Sequence, residues 1–162
     1  MGGGPAVTEV LDADREAVIE ANQALYTSFE AADLDAMEEL WGRGAVICVH
    51  PGWPTLRGRE AVLRSWAMIM ANTSYIQFFL TDVEVELAGD VAVLTCVENI
   101  LTAMDPNNPA ADPASFAGAK AVATNVFRRT AGGWRLWVHH GSPVLAADGR
   151  ARTNPEPDGD AD

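Results

Sequence analysis

The chain has 162 residues, enough for one domain with a sizeable apolar core. Hydrophobic residues make up 48% of it, so burial can drive folding, and the formal charge is −12 at pH 7. An excess of acids this large repels phosphates and argues against nucleic acid or an anionic membrane as a partner.

The charge is unevenly placed: residues 1–44 carry a net −8, residues 45–145 a net −1 and residues 146–162 a net −3. Solubility is the simplest reading of that acidity. Cys48 and Cys96 each sit in an apolar run, where a buried free thiol is expected. No Cys/His spacing suggests zinc, and no metal or other cofactor is expected. No stretch approaches a membrane span and residues 1–6 lack a signal pattern, so a cytoplasmic location is expected.

Residues 1–8 are glycine-rich and expected to be loose. Helical spacing of Val18, Ala21, Leu25 and Phe29 predicts a helix from Asp12 to Ala32. Asp33 can cap a second, shorter helix that buries Leu34, Met37, Leu40 and Trp41. Ala45 to Val49 reads as a short strand. His50-Pro51-Gly52-Trp53-Pro54 reads as a rigid loop, because each proline fixes its own φ and restrains its predecessor. After Gly58, a third helix runs from Arg59 to Ala71, with Val62, Leu63, Trp66, Ile69 and Met70 on an apolar face.

The rest reads as strands. Tyr75 to Leu87 alternates in its second half, Gly89-Asp90 signals a hairpin, and Val91 to Met104 is a long strand. Asp105 to Ser115 is a proline-rich loop, either a lid or an exposed connection. Phe116 to Arg129 and Trp134 to His140 are the last strands, joined through Gly132-Gly133. Residues 146–162 are expected to form a disordered acidic tail, which leaves residues 9–145 as the domain. Helices segregated from a meander define an α+β fold with the helices on one sheet face.

Several residues carry chemistry. His50 follows an apolar strand and can move a proton near neutral pH, or simply bond the loop backbone. Asn125 lies in an apolar strand, where it either donates to a substrate oxygen or ties two strands together. His139 and His140 face opposite sides of their strand, as do Glu98 and Asn99. A Glu98 turned inward would be a buried carboxyl with a raised pKa, and a natural base. Phe29, Trp41, Trp53, Trp66, Phe127 and Trp137 can line one volume suited to a small, flat hydrophobic ligand, or pack as ordinary core.

Three segments resemble the SnoaL-like branch of the NTF2-like superfamily. They are Ala31-Ala32-Asp33-Leu34-Asp35-Ala36-Met37, Val49-His50-Pro51-Gly52 with Gly58-Arg59-Glu60, and Ala123-Thr124-Asn125-Val126-Phe127-Arg128 before Gly133-Trp134-Arg135-Leu136. The ending Val138-His139-His140-Gly141-Ser142-Pro143 adds to the likeness. The resemblance implies a cone of bent antiparallel sheet with three helices on its concave face, and a homodimer paired through the open sheet face. Ketosteroid isomerases of that superfamily set a carboxylate base at the position matching His50 and a protonated aspartate at the position matching Asn125. Their tyrosine position falls on Leu25, with Tyr26 pointing elsewhere.

The resemblance further turns His139, Trp137 and Asn99 inward and Glu98 outward, within reach of Arg128 or Arg129. It implies a cofactor-independent isomerase, cyclase, dehydratase or hydrolase with His50, Asn125 and His139 as catalytic groups. A non-catalytic binding domain and an assembly domain are the alternatives.

Overall fold

The computed structural model describes residues 5–103 and 116–145. The segment Asp105 to Ser115, read as a lid or an exposed connection, and the acidic tail lie outside the described residues. The order is α1 (Pro5–Glu30), α2 (Leu34–Leu40), β1 (Ile47–Val49), β2 (Leu56–Arg57), α3 (Arg59–Ala71), β3 (Ile76–Ala88), β4 (Val91–Ala103), β5 (Phe116–Thr130) and β6 (Gly133–Pro143). The first helix begins at Pro5, well before Asp12, and so takes in part of the segment expected to be loose. The Asp33 cap is in place, its carboxylate accepting from the Ala36 N–H at 3.0 Å.

The strands form one sheet in the order β2-β1-β6-β5-β4-β3. The β3–β6 meander is antiparallel, but β1 runs parallel to β6, so the sheet is mixed where an antiparallel one was expected. The short strand β2 was not anticipated, because two residues leave no alternation to read. Two-residue loops close both hairpins, Gly89-Asp90 and Ala131-Gly132.

The sheet carries two bulges. One interrupts β3 between Thr81 and Glu84, where Asp82 takes a φ of 52°. The other inserts Trp137 into β6, because Val126 pairs with Val138 while Phe127 pairs with Leu136. Bulges bend a strand and reverse which side chains face a given side.

Side chains of α1 stitch it across the helix-covered face. Arg129 grips Asp14 with its two terminal guanidinium nitrogens, at 2.7 and 2.5 Å. Arg15 donates to the Val85 carbonyl at 2.6 Å, and Glu30 accepts from the Phe78 N–H at 2.7 Å. Arg59 at the start of α3 donates to the carbonyls of Trp41 and Glu38, which joins α3 to the end of α2. The core between helices and sheet is built from Val18, Leu25, Met37, Trp41, Val62, Leu94, Phe127 and Leu136. Both cysteines are buried and free. No described helix is long and apolar enough to cross a membrane.

Candidate functional site

A cavity of about 250 Å³ opens between α1, α3 and the sheet. Its walls are mostly apolar: Leu25, Phe29, Trp53, Trp66, Ile69 and Phe78 among others. Four polar groups share it, namely Tyr26, His50, Glu98 and His139.

His50 stands just after β1 and is 4% exposed. Its ring meets Trp66 edge-on at 4.7 Å between centroids and Trp53 at 5.1 Å. Its Nε2 lies 2.8 Å from Ser65 Oγ, which itself donates to the Val62 carbonyl at 2.7 Å. The Cys48 thiol lies beneath the ring, 3.6 and 3.8 Å from its two nitrogens. Burial holds His50 down to about 4 and pushes the Cys48 thiol up to about 12. Cys48 is thus a neutral packing neighbour and not a thiolate.

His139, on β6, is 3% exposed and sits 6.3 Å from His50 between ring centroids. Its Nδ1 lies 2.6 Å from Asn125 Oδ1. Burial, and then the nearness of His50 and His140, brings it down to about 3. Both imidazoles are therefore neutral near pH 7.

Glu98 points inward from β4 and is 4% exposed. Tyr26 donates to its Oε1 at 2.6 Å. No ion pair to Glu98 exists among the described residues, and burial raises its pKa. Burial, followed by the Glu98 carboxylate, raises the Tyr26 phenol as well. Burial disfavours the charged form of Glu98, while the hydrogen bond donated by Tyr26 acts the other way.

Several residues sit otherwise than the sequence suggests. Glu98 faces in, and Asn99 faces out, donating to the Phe79 carbonyl at 2.9 Å and to Thr81. Arg129 is committed to Asp14 and Asp90, and Arg128 lies over Trp137, so neither meets Glu98. Trp137 leaves the cavity because it is the inserted residue of the β6 bulge. It stacks 3.1 Å beneath the Arg128 guanidinium and donates to the Ala45 carbonyl. His139 keeps its inward place beyond the bulge. Trp41 and Phe127 are buried core, not cavity wall. Phe29, Trp53 and Trp66 do line the cavity.

Asn125 is fully buried and stands behind His139, away from the cavity wall. Its amide nitrogen donates to Asn22 Oδ1 at 2.7 Å and to the Tyr26 hydroxyl at 3.4 Å, so it is not free for a substrate oxygen. Tyr26, expected to point elsewhere, is 2% exposed and lines the cavity. Asn22 and Ser65 were missed. Each is a polar residue on a buried helical stripe, between Val18 and Leu25 and between Val62 and Trp66, and that interruption was the available signal. Among the described residues no group of three or more His, Cys, Asp or Glu could hold a metal ion.

A bent sheet with helices across one face and a cavity between them defines the NTF2-like fold class. The SnoaL-like domain family matches residues 18–146, and the chain belongs to that family. A candidate dehydratase of the NTF2-like family from Streptomyces avermitilis is 51% identical, with a TM-score of 0.77 over 83% of this chain and 99% of that one. An NTF2-like protein with a cystatin-like fold from Novosphingobium aromaticivorans is 24% identical, with a TM-score of 0.67 over 92% of this chain and 94% of that one. The F-box protein SKIP8 of Arabidopsis thaliana is 25% identical over 137 residues, 84% of this chain. The chain spans about half, 53%, of that curated relative's length.

Proposed function

We propose that the domain is an acid–base lyase that removes water from a small, neutral, largely apolar β-hydroxy ketone. The observation that carries this reading is the pairing, in one apolar cavity, of neutral imidazoles with a carboxyl that has no cationic partner among the described residues. Groups whose surroundings push their pKa values apart divide naturally into base and acid. The 51% identity to a candidate dehydratase supports the same class.

In this proposal His139 is the base, because its Nε2 has no partner among the described residues, whereas the unprotonated nitrogen of His50, Nδ1, lies against the Cys48 thiol at 3.8 Å. Nε2 takes the proton from the carbon next to the ketone. The electron pair released forms the carbon–carbon double bond as the β-carbon–oxygen bond breaks. The departing hydroxyl takes the Glu98 proton and leaves as water. Exchange with solvent then returns the proton from His139 to Glu98. His50 and the aromatic walls orient the substrate and exclude water.

The test uses 3-hydroxy-1-tetralone, whose dehydration gives 1-naphthol, a change visible by absorbance. His139→Gln and Glu98→Gln should each slow the reaction by about a hundredfold or more, the usual worth of a positioned acid or base. Equal rates in wild type and both variants would make the cavity a binding site without chemistry.

A further inference from the structure

Two polar pairs behind the cavity have no part in the proton transfer just described, and both end on an imidazole nitrogen. Ser65 has one proton, and it goes to the Val62 carbonyl at 2.7 Å. Its oxygen can then only accept from His50 at 2.8 Å, so His50 carries its proton on Nε2. Asn125 Oδ1 is an acceptor, so His139 carries its proton on Nδ1 across 2.6 Å. Which way the Asn125 amide faces is fixed one step further back. Asn22 Oδ1 takes one amide N–H at 2.7 Å, and the Tyr26 hydroxyl oxygen, whose own proton goes to Glu98, takes the other at 3.4 Å, so a flipped amide would lose both bonds.

We infer that Asn22, acting through Asn125, and Ser65 are positioning residues that lock the two imidazoles in opposite tautomers, leaving on each a lone pair that has no oxygen or nitrogen donor from the protein. His139 Nε2 has no partner among the described residues, and His50 Nδ1 has only the Cys48 thiol at 3.8 Å. Using amides and a hydroxyl instead of carboxylates matters. A carboxylate behind the ring would favour the imidazolium, while neutral partners orient the ring and leave it uncharged.

The consequence is a cavity whose histidines accept and do not donate. A ligand must bring its own proton, so a neutral hydroxyl is preferred and a capped hydroxyl is rejected, because the buried acceptor then goes unpaired. The ligand part of this inference rests on the proposed binding role of the cavity; the tautomer lock does not.

Imidazole nitrogen NMR on the labelled full chain reads the lock directly, with no ligand present. Wild type should show His139 protonated at Nδ1 and His50 at Nε2, both uncharged near neutral pH. Asn22→Ala, which touches neither ring, should turn His139 into a tautomer mixture and leave His50 unchanged; Ser65→Ala should do the reverse. The opposite tautomer on either ring in wild type, or an unchanged His139 in a folded Asn22→Ala protein, overturns the inference. Should Asn22→Ala fail to fold, the wild-type spectrum and Ser65→Ala still decide it. In a parallel titration 1-naphthol should bind about tenfold or more tightly than 1-methoxynaphthalene, and the ratio should shrink in Asn22→Ala. Equal binding of the two contradicts the acceptor site. Binding of neither, with the tautomers as stated, counts against the ligand role and not against the lock.

Discussion

His50, His139, Glu98 and Gly141 each have a measurable signature. An unfolded chain holds ordinary imidazoles that take protons near pH 6.5, whereas the folded chain keeps His50 neutral down to about 4 and His139 down to about 3. The unfolded state therefore binds more protons in that window. The stability these rings contribute is complete above pH 6.5 and is lost as pH falls towards their folded values. Glu98 has the opposite sign, since its raised folded pKa favours the native state at low pH and loses that contribution as pH rises. Denaturation of wild type near neutral pH and at pH 4 should show a loss on acidification of roughly 3 kcal/mol from His50 alone. A His50→Gln/His139→Gln protein should lose distinctly less, and equal losses would contradict the buried neutral rings. At Gly141 the constraint is contact: a Cβ there would lie 2.9 Å from Pro51 Cγ, beside His50. Gly141→Ala should cost about 1–3 kcal/mol of stability by overpacking and shift the His50 resonances. Unchanged stability and spectra would show that the loop yields freely. At this scale the sequence revealed the reactive residue types, His50 and His139, but not the roles of their neighbours, because Asn125 and Ser65 act through hydrogen-bond geometry that no local pattern encodes.

Among the elements, strand parity separates what could be read from what could not. The long strands and the second and third helices were legible from hydrophobic periodicity, capping and turn chemistry. The faces of β4 and β6 were not. A single inserted residue, Trp137, lets His139 face the cavity while its neighbour two positions back faces away, and sequence alternation cannot register such an insertion. The parity of β4 was legible as a choice of two, and only the packed neighbours, Tyr26 above all, select Glu98 over Asn99. The two tryptophans on either side of the sheet give this a direct readout. Trp66→Ala should abolish 1-naphthol binding, since Trp66 contacts both imidazoles. Trp137→Ala should leave that binding intact and cost about 0.5–1 kcal/mol through its stacking with Arg128. Loss of binding in Trp137→Ala would place the site elsewhere.

For the molecule as a whole, α1 and α3 cover one face of a continuous sheet, and polar groups within the enclosed space are tied down from behind. The α+β class and the family were legible because helix and strand periodicities occur in separate blocks and the short motifs fall in order. The mixed character of the sheet was not, because β1 is three residues long and joins β6 from a distant part of the chain. In the proposed function this enclosed space presents a base to a small neutral carbonyl compound. The most direct measurement is exchange of the α-protons of 1-tetralone for deuterium in heavy water, followed by NMR, since that step needs no leaving group. Wild type should accelerate exchange well above buffer, and His139→Gln should return it to near the background rate. No acceleration by folded wild-type protein, or full acceleration by His139→Gln, would contradict the account.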